Sequence, residues 1–202
     1  MINTYYIGGS PCSGKSTIAE IIAKEYGLYY FKVDDFLDKY TKLGESKGYE
    51  ICKKQVDLNP EQIWMRDPMI QCEEELTFYE EIFEFVLSDL EKIETKGILT
   101  EGAAYLPKLM KELGVPKDRY LSLTPTKDFQ ISHYRKREWV SYVLEGCYDK
   151  EKAFSNWMNR DILFAQDVIK QCAEEQYVSV INDGSREVDE LVNLVVSHFG
   201  LK

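Results

Sequence analysis

The stretch IGGSPCSGKSTI at residues 7–18 constrains this chain more than any other part of its sequence. The spacing G-x-x-x-x-G-K-[ST] is matched by Gly9, Gly14, Lys15 and Ser16. In this pattern a glycine-rich loop joins a strand to a helix, and its backbone N–H groups surround phosphate oxygens. The flanks agree, because INTYYI before the loop is rich in β-formers and KSTIAEIIAKEY after it has helical spacing. The sequence therefore predicts a phosphate-binding loop.

Individual residues of this loop have separate expected roles. Lys15 is expected to reach the β- and γ-phosphates of ATP, and the Ser16 hydroxyl to ligate Mg²⁺. The other residues expected to contact the nucleotide are Gly9, Ser10, Cys12, Ser13, Gly14 and Thr17. Cys12 has two interpretations, a thiol whose pKa is lowered by the helix N-terminus and Lys15, or a plain loop filler. A glycine turn without any ligand is the alternative for the whole loop.

Composition restricts the classes of function. A chain of 202 residues is long enough for one α/β domain, and we assign residues 1–202 to a single domain. The net charge of −10 argues against a nucleic-acid partner and favours a small-molecule acceptor. No apolar run is long enough to cross a membrane and no signal segment is visible, so we expect a cytoplasmic protein. The five cysteines form no CxxC pair and are expected to be reduced thiols.

Strand and helix patterns alternate along the chain, which predicts a parallel sheet with helices on both faces. The predicted strands are residues 2–7, 28–33, 97–102, 119–125 and 177–183. Residues 41–58 read as a loop or as short helical pieces. A helix is expected to begin at Asn59, an N-cap followed by proline, and to break near Asp67.

A long helix is predicted after Pro68, because apolar residues recur at steps of three and four. They are Leu76, Tyr79, Phe83, Val86, Leu90 and Ile93. This stripe can pack in the core or form a dimer seam. Core packing is the preferred interpretation, since the heptads are too few for a coiled coil.

The order of the remaining motifs narrows the class. The base-reading motif of GTPases and the Asp-Glu strand end of motor-like ATPases are both missing from the sequence. Instead VDDF, ILTEG, HYRKREW and INDGS follow the loop in that order, and the chain resembles the nucleoside and nucleotide kinase-like group of P-loop kinases. The resemblance implies a three-layer P-loop NTPase fold with a five-stranded parallel sheet and an arginine-bearing lid near residues 133–161. It also implies phosphoryl transfer from ATP to a small hydroxyl-bearing or phosphorylated metabolite.

The same resemblance suggests roles for acidic residues at two strand ends. Asp34 is the candidate for orienting or deprotonating the acceptor hydroxyl. Asp35 is a second contact to the acceptor or Mg²⁺, or else a helix N-cap. Glu101 corresponds to the carboxylate that holds Mg²⁺ directly or through water, with a solvated glutamate as the alternative.

Arginines of the expected lid are candidates for neutralising charge during transfer. Arg135 and Arg137 lie where the lid should begin, although any basic helix end has a similar composition. Arg160 gains support from its neighbour Asp161, which falls on an apolar helix face and therefore needs a cationic partner.

The base and acceptor sites are less defined. Gly184 and Ser185 are candidates for contacting adenine, or form a plain turn. Arg66 is the candidate for binding the acceptor, among aromatic residues that suit a planar ring or the core. Those aromatic residues are Tyr40, Tyr49, Trp64 and Tyr79. A single arginine there favours a nucleoside-like acceptor over a nucleotide.

A second class of function is also compatible with the loop: a nucleotide-binding regulatory or switch protein without an acceptor. In that case Asp34, Glu101 and the lid arginines would have no assigned task. His133 and His198 are isolated in the sequence and suggest neither a metal site nor a catalytic triad.

Overall fold

Short apolar strands separated by amphipathic helices assemble into one five-stranded parallel sheet with helices on both faces, as predicted. The computed structural model describes residues 3–202, so Ile2, part of the first predicted strand, lies outside the described residues. The strands are β1 (Asn3–Gly8), β2 (Tyr29–Lys32), β3 (Gly97–Glu101), β4 (Tyr120–Pro125) and β5 (Val178–Asn182). They pair in the order β2-β3-β1-β4-β5, with every pair parallel.

The helices fill the connections between the strands. They are α1 (Lys15–Tyr26), α2 (Leu37–Lys47), α3 (Glu50–Asp57), α4 (Pro60–Trp64), α5 (Pro68–Glu91), α6 (Pro107–Glu112), α7 (Lys127–Tyr134), α8 (Val140–Val143), α9 (Lys150–Glu175) and α10 (Val188–Phe199). Short 3-10 helices lie at Val33–Phe36 and Lys117–Arg119. Two of the predicted boundaries are confirmed by capping: Asn59 and Gln62 form a reciprocal capping box at α4, and the Asp67 side chain caps α5.

Residues 41–58, which the sequence left open between a loop and short helical pieces, are largely helical in α2 and α3. Gly44 explains part of the ambiguity, since glycine is unfavourable inside a helix. It is needed here because a Cβ at this position would overlap the side chain of Cys52 on α3. Close packing of α2 on α3 therefore overrides the local propensity.

Two apolar layers cover the sheet. On one face α1 and α10 contribute residues such as Ile18, Ile22 and Val195 to a buried cluster. On the other face α5 packs against α9, and Tyr79, Val86 and Leu90 of α5 are buried in the larger cluster. The apolar stripe of α5 is thus core, as preferred from the sequence, and burying each large side chain contributes about 1.5–3 kcal/mol.

The parallel arrangement brings all strand carboxyl ends to one edge of the sheet, where ligands bind in folds of this class. The segments that follow β1, β2, β3 and β5 meet there. They contain the glycine-rich loop, Asp34, the end of β3 at Glu101, and the turn at Gly184. Of the segment expected as a lid, residues 150–161 belong to the long helix α9, which packs on α5, and residues 135–149 connect α7 to α9 and contain α8.

Candidate functional site

The glycine-rich loop between β1 and α1 owes its conformation to two glycines. Gly9 has a φ of +115°, and a Cβ there would overlap the backbone of Leu123 on β4. Gly14 has a φ of +95° and is the N-cap of α1. Side chains are strained at such φ values, so glycine is required at both positions. The spacing in the sequence therefore reflects backbone geometry.

Several backbone amides of this loop have no acceptor in the described residues. Within residues 3–202, no N–H group from Gly14 to Thr17 donates a hydrogen bond to a protein acceptor. Buried or half-buried amides normally have partners, so a run of free ones at a helix N-terminus is a surface suited to an anion. The Ser10 hydroxyl, which is buried, also lacks a partner in the described chain.

Lys15 lies within this array. Its side chain is buried, and Nζ donates to the carbonyl oxygen of Ser10 at 2.6 Å and to Ser13 Oγ at 3.4 Å. Burial lowers the pKa of Lys15, while the negative charges of Glu101 and Asp34 act in the opposite direction. Within residues 3–202 the hydrogen bonds of the ammonium group go to loop atoms, and Glu101 and Asp34, both expected at this site, favour its charged form.

Glu101 at the end of β3 is joined directly to the start of α1. Ser16 Oγ donates to Glu101 Oε1 at 2.9 Å, and the Tyr30 hydroxyl donates to the same oxygen at 3.0 Å. The second oxygen, Oε2, is buried and has no partner among the described residues. Burial raises the pKa of this carboxyl, and the charge of Lys15 counteracts that effect. A hydroxyl beside an orphaned carboxylate oxygen fits the hard oxygen ligands of Mg²⁺.

The two aspartates after β2 face different surroundings. Asp34 is exposed, and its charge acts on both Lys15 and Glu101, which places it beside the loop. Asp35 is also exposed and lies 3.9 Å from the Lys32 ammonium. Of the two candidates for the acceptor-activating group, only Asp34 is thus tied to the loop.

Arg160 lies in a buried ion cluster on α9. Its Nη1 lies 2.5 Å from Glu75 Oε2, and its Nε donates to Asp161 Oδ1 at 2.7 Å. The cationic partner expected for Asp161 is confirmed. Both carboxylates engage the guanidinium in this structure, so a nucleotide contact by Arg160 would have to replace one of these ion pairs.

The arginines of the remaining lid segment differ sharply from each other. Arg135 forms an exposed ion pair with Glu151 at 2.9 Å. Arg137 has no ion-pair partner in residues 3–202, and its guanidinium lies over the Tyr134 ring at 5.0 Å. Burial raises the pKa of Cys12 in the loop, and the charge of Arg137 acts against this shift, so Arg137 lies near the loop.

Cys12 itself packs against an apolar cluster contributed by residues 134–158. The buried members of this cluster are Tyr134, Val140, Leu144, Cys147, Ala153, Phe154, Trp157 and Met158. The raised pKa favours the neutral thiol and therefore the filler interpretation over a reactive thiolate. Cys12 connects the loop to the segment that carries Arg137.

The turn after β5 supports the loop through a residue that sequence reasoning missed. Asn182 Nδ2 donates to the carbonyl of Ser13 at 3.0 Å, and Asn182 Oδ1 accepts from the Gly184 amide at 3.0 Å. Gly184 has a φ of +82° and packs against Phe129, while Ser185 bonds to Asp183 within the turn. The INDGS pattern at residues 181–185 contains Asn182, but it indicated a turn at Gly184 and Ser185 and gave no sign that Asn182 supports the loop.

Several other candidates lie in structural roles. Arg66 pairs with Glu74 at 2.5 Å, and Tyr40 and Tyr79 are buried in the core. Trp64 stacks on Trp157 with ring centroids 4.7 Å apart. The aromatic residues of this region thus belong largely to the packing, as the alternative interpretation held. Sequence reasoning missed Tyr30, the second hydrogen-bond donor to Glu101, because a strand pattern does not indicate which side chain a tyrosine hydroxyl contacts.

Comparison with known proteins supports the fold and gives no information about activity. The chain is similar to a protein seen in the crystal structure of TT1252 from Thermus thermophilus, with a TM-score of 0.53 and 15% identity over 99% of each chain. At this identity the likeness shows the fold alone. No model of a known protein family matches the chain, and no curated protein matches it in sequence. No helix of residues 3–202 has both the length and the apolar character needed to cross a membrane.

Proposed function

We propose that this protein is an ATP-dependent phosphotransferase that moves the γ-phosphoryl group to a hydroxyl of a small molecule. The observation that carries the proposal is the run of unpartnered loop amides around Lys15 at the start of α1. Such an array supplies many donors to a triphosphate at once, and the Lys15 ammonium adds a charge that the loop carbonyl of Ser10 holds until phosphate replaces it. We assign the array as a P-loop.

Ser16 and Glu101 are the residues that would hold Mg²⁺, which neutralises charge on the phosphates when bound. The Glu101 Oε2 atom, which has no partner in the described residues, would be available to such an ion directly or through water. Residues 3–202 contain no group of three or more His, Cys, Asp or Glu side chains able to hold a metal ion.

Asp34 is the residue we assign to the acceptor. The acceptor hydroxyl oxygen forms the new bond to the γ-phosphorus, the bond from that phosphorus to the bridging oxygen breaks, and ADP leaves with its electrons. The hydroxyl proton passes to Asp34. Its charge already acts on Lys15, so a hydroxyl between the two groups would lie near the transferred phosphoryl group.

The lid assignment rests on Arg137. It is the lid arginine without an ion pair in the described chain, and it lies near Cys12 of the loop. Closure of about residues 135–149 over ATP would bring this guanidinium to the phosphates, where it stabilises the charge that develops during transfer.

Arg137→Ala is expected to lower kcat by about 10²-fold, the usual loss for one preorganised donor to a transition state. Arg135→Ala is the matched control and should change kcat little, because an exposed pair such as Arg135–Glu151 is worth at most about 1 kcal/mol. Rates of ADP formation measure both. Hydrogen exchange in residues 135–149 should slow when ATP and Mg²⁺ are added. Equal losses in the two variants would remove Arg137 from this role.

The proposal as a whole is tested by incubating the protein with ATP, Mg²⁺ and a panel of nucleosides, nucleotides, sugars and aminoglycosides, and searching for phosphorylated products by mass spectrometry. One class of hydroxyl compound is expected to gain a phosphoryl group. ATP binding without any product across the panel would instead favour a nucleotide-binding regulatory or switch protein. Protein lacking Lys15 serves as the control for contaminating kinases.

A further inference from the structure

Tyr30 lies on β2, which is separated from β1 and its glycine-rich loop by β3. In the pairing of β2 with β3, Lys32 is the register partner of Glu101. Alternate residues of a strand share one face of the sheet, so Tyr30 lies on the same face as Lys32 and Glu101. The hydrogen bond of 3.0 Å from the Tyr30 hydroxyl to Glu101 Oε1 follows from this register.

The two carboxylate oxygens of Glu101 are used unequally. An ionised carboxylate has about four lone-pair sites, shared evenly between its two oxygens. Oε1 accepts from Ser16 Oγ at 2.9 Å and from the Tyr30 hydroxyl at 3.0 Å. Oε2 is buried and accepts from no group in residues 3–202. The two hydroxyls therefore occupy Oε1 and leave Oε2 as the oxygen available to an ion, or to a water molecule bound to that ion.

The two donors come from different parts of the fold, Ser16 from the first turn of α1 and Tyr30 from β2. Turning the Glu101 carboxylate out of its plane would weaken both hydrogen bonds, so together they fix its orientation. Ser16 is also assigned to the ion, whereas Tyr30 contacts the carboxylate from outside the loop. Partners that orient a metal-binding side chain in this way commonly contribute about 10- to 100-fold to metal affinity.

The number of free carboxylate oxygens affects which ion is preferred. Ca²⁺ takes roughly six to eight oxygen ligands in flexible geometry and often uses both oxygens of one carboxylate. Mg²⁺ is smaller, requires nearly octahedral geometry and keeps several waters. A carboxylate with one oxygen already occupied by two hydroxyls therefore suits Mg²⁺ better than Ca²⁺.

We propose that Tyr30 is a positioning residue that holds Glu101 Oε1, restricts the carboxylate to Oε2 for the divalent ion, and so favours Mg²⁺ over Ca²⁺. This inference rests on the proposed phosphotransferase function and deepens it, because it concerns the ion assigned to Ser16 and Glu101. Tyr30 acts through Glu101 and contacts neither ATP nor the ion.

Tyr30→Phe tests the proposal, because it removes the hydroxyl and keeps the ring. Equilibrium titration gives the ATP dissociation constant in EDTA, in Mg²⁺ and in Ca²⁺, a binding measurement that requires no turnover. The ratio of the constants in EDTA and in Mg²⁺ should fall by about tenfold in the variant, the usual loss for an orienting partner of a metal ligand. The constant in EDTA itself should stay within about twofold. The ratio in Ca²⁺ should fall less, so the preference for Mg²⁺ should narrow.

Tyr29→Phe is the matched control, since Tyr29 is the neighbouring residue of β2, lies on the opposite face and is 49% exposed. It should leave all three dissociation constants unchanged, and thermal unfolding reports the fold of both variants. A double-mutant cycle with Glu101→Gln separates positioning from a general structural effect. In Glu101→Gln protein, adding Tyr30→Phe should change the Mg²⁺ ratio by less than about twofold, because the carboxylate through which Tyr30 acts is already absent.

The possible results separate this inference from the proposed function. Equal Mg²⁺ ratios in Tyr30→Phe and wild-type protein would overturn the inference and leave phosphoryl transfer, which the product panel tests, intact. A tenfold loss that persists in the Glu101→Gln background would make Tyr30 a structural residue and also overturn it. Wild-type affinity for ATP that ignores Mg²⁺ would overturn both the assigned ion site and the inference. If Tyr30→Phe does not fold, the wild type decides, because tighter ATP binding in Ca²⁺ than in Mg²⁺ would contradict the proposal.

Discussion

Lys15→Ala is expected to abolish ATP turnover while leaving the protein folded. Among residues 3–202 the hydrogen bonds of Nζ go to the Ser10 carbonyl and Ser13 Oγ, both in the loop, so no hydrogen bond to the core is lost. Its loss removes the positive charge at the centre of the proposed P-loop, and we expect a decrease in kcat of at least about 10³-fold, the upper range for a preorganised electrostatic group.

Lys24→Ala provides the control, because Lys24 is an exposed residue in the last turn of the same helix. The turnover rate and the melting temperature of the Lys24→Ala variant should equal those of the wild type. Circular dichroism and thermal unfolding report the fold of both variants, and ADP release reports turnover. Normal turnover by folded Lys15→Ala protein would exclude the P-loop assignment.

Asp34→Asn is expected to lower kcat by about 10²- to 10⁴-fold, the usual contribution of general-base action. The amide keeps the size of the side chain and an oxygen that accepts hydrogen bonds, but it cannot take up the hydroxyl proton. Affinity for ATP should be nearly unchanged, because Ser16 and the loop amides do not contact this side chain through any hydrogen bond in residues 3–202.

Asp35→Asn is the matched control for this second experiment. Asp35 adjoins Lys32 in an exposed pair 3.9 Å apart, and such pairs contribute little. Acceptor phosphorylation gives kcat, and equilibrium titration with ATP and Mg²⁺ gives nucleotide affinity. A loss of ATP binding with normal residual turnover would make Asp34 a metal or structural residue. A loss only in Asp35→Asn would transfer the role to Asp35.

The sequence predicts the elements of this fold well where the local signals are strong. The helix after the loop has the predicted bounds, Lys15–Tyr26, because glycines stop it at both ends in left-handed conformations. The start of α5 follows from the cap at Asp67 and the proline after it. The strand ends differ from the predicted ones by at most one residue, since pairing with neighbouring strands decides where each strand ends.

The sequence predicts the residues of the candidate site only where their position at a strand end determines their neighbours. The end of β3 places Glu101 at the carboxyl edge of the sheet, and its pairing with Ile7 of β1 brings it beside the start of the loop that leads to Ser16. The fate of Arg160 could not be read from the sequence, because its partner Glu75 lies 85 residues away on another helix. An arginine beside an aspartate on an apolar helix face is compatible with a lid arginine and equally with a buried ion cluster, so the sequence does not separate the two.

The contact between Asn182 and Ser13 has a consequence for the order in which the molecule can become active. The two residues are 169 positions apart, and the side chain of Asn182 also fixes the turn at Gly184. A ribosome-bound chain that has not yet released β5 lacks this brace, so its glycine-rich loop is unsupported although all of the loop residues have been made. The loop is therefore fully braced only after β5 has been made and has joined the sheet, and under the proposed function the affinity for ATP would report on that step.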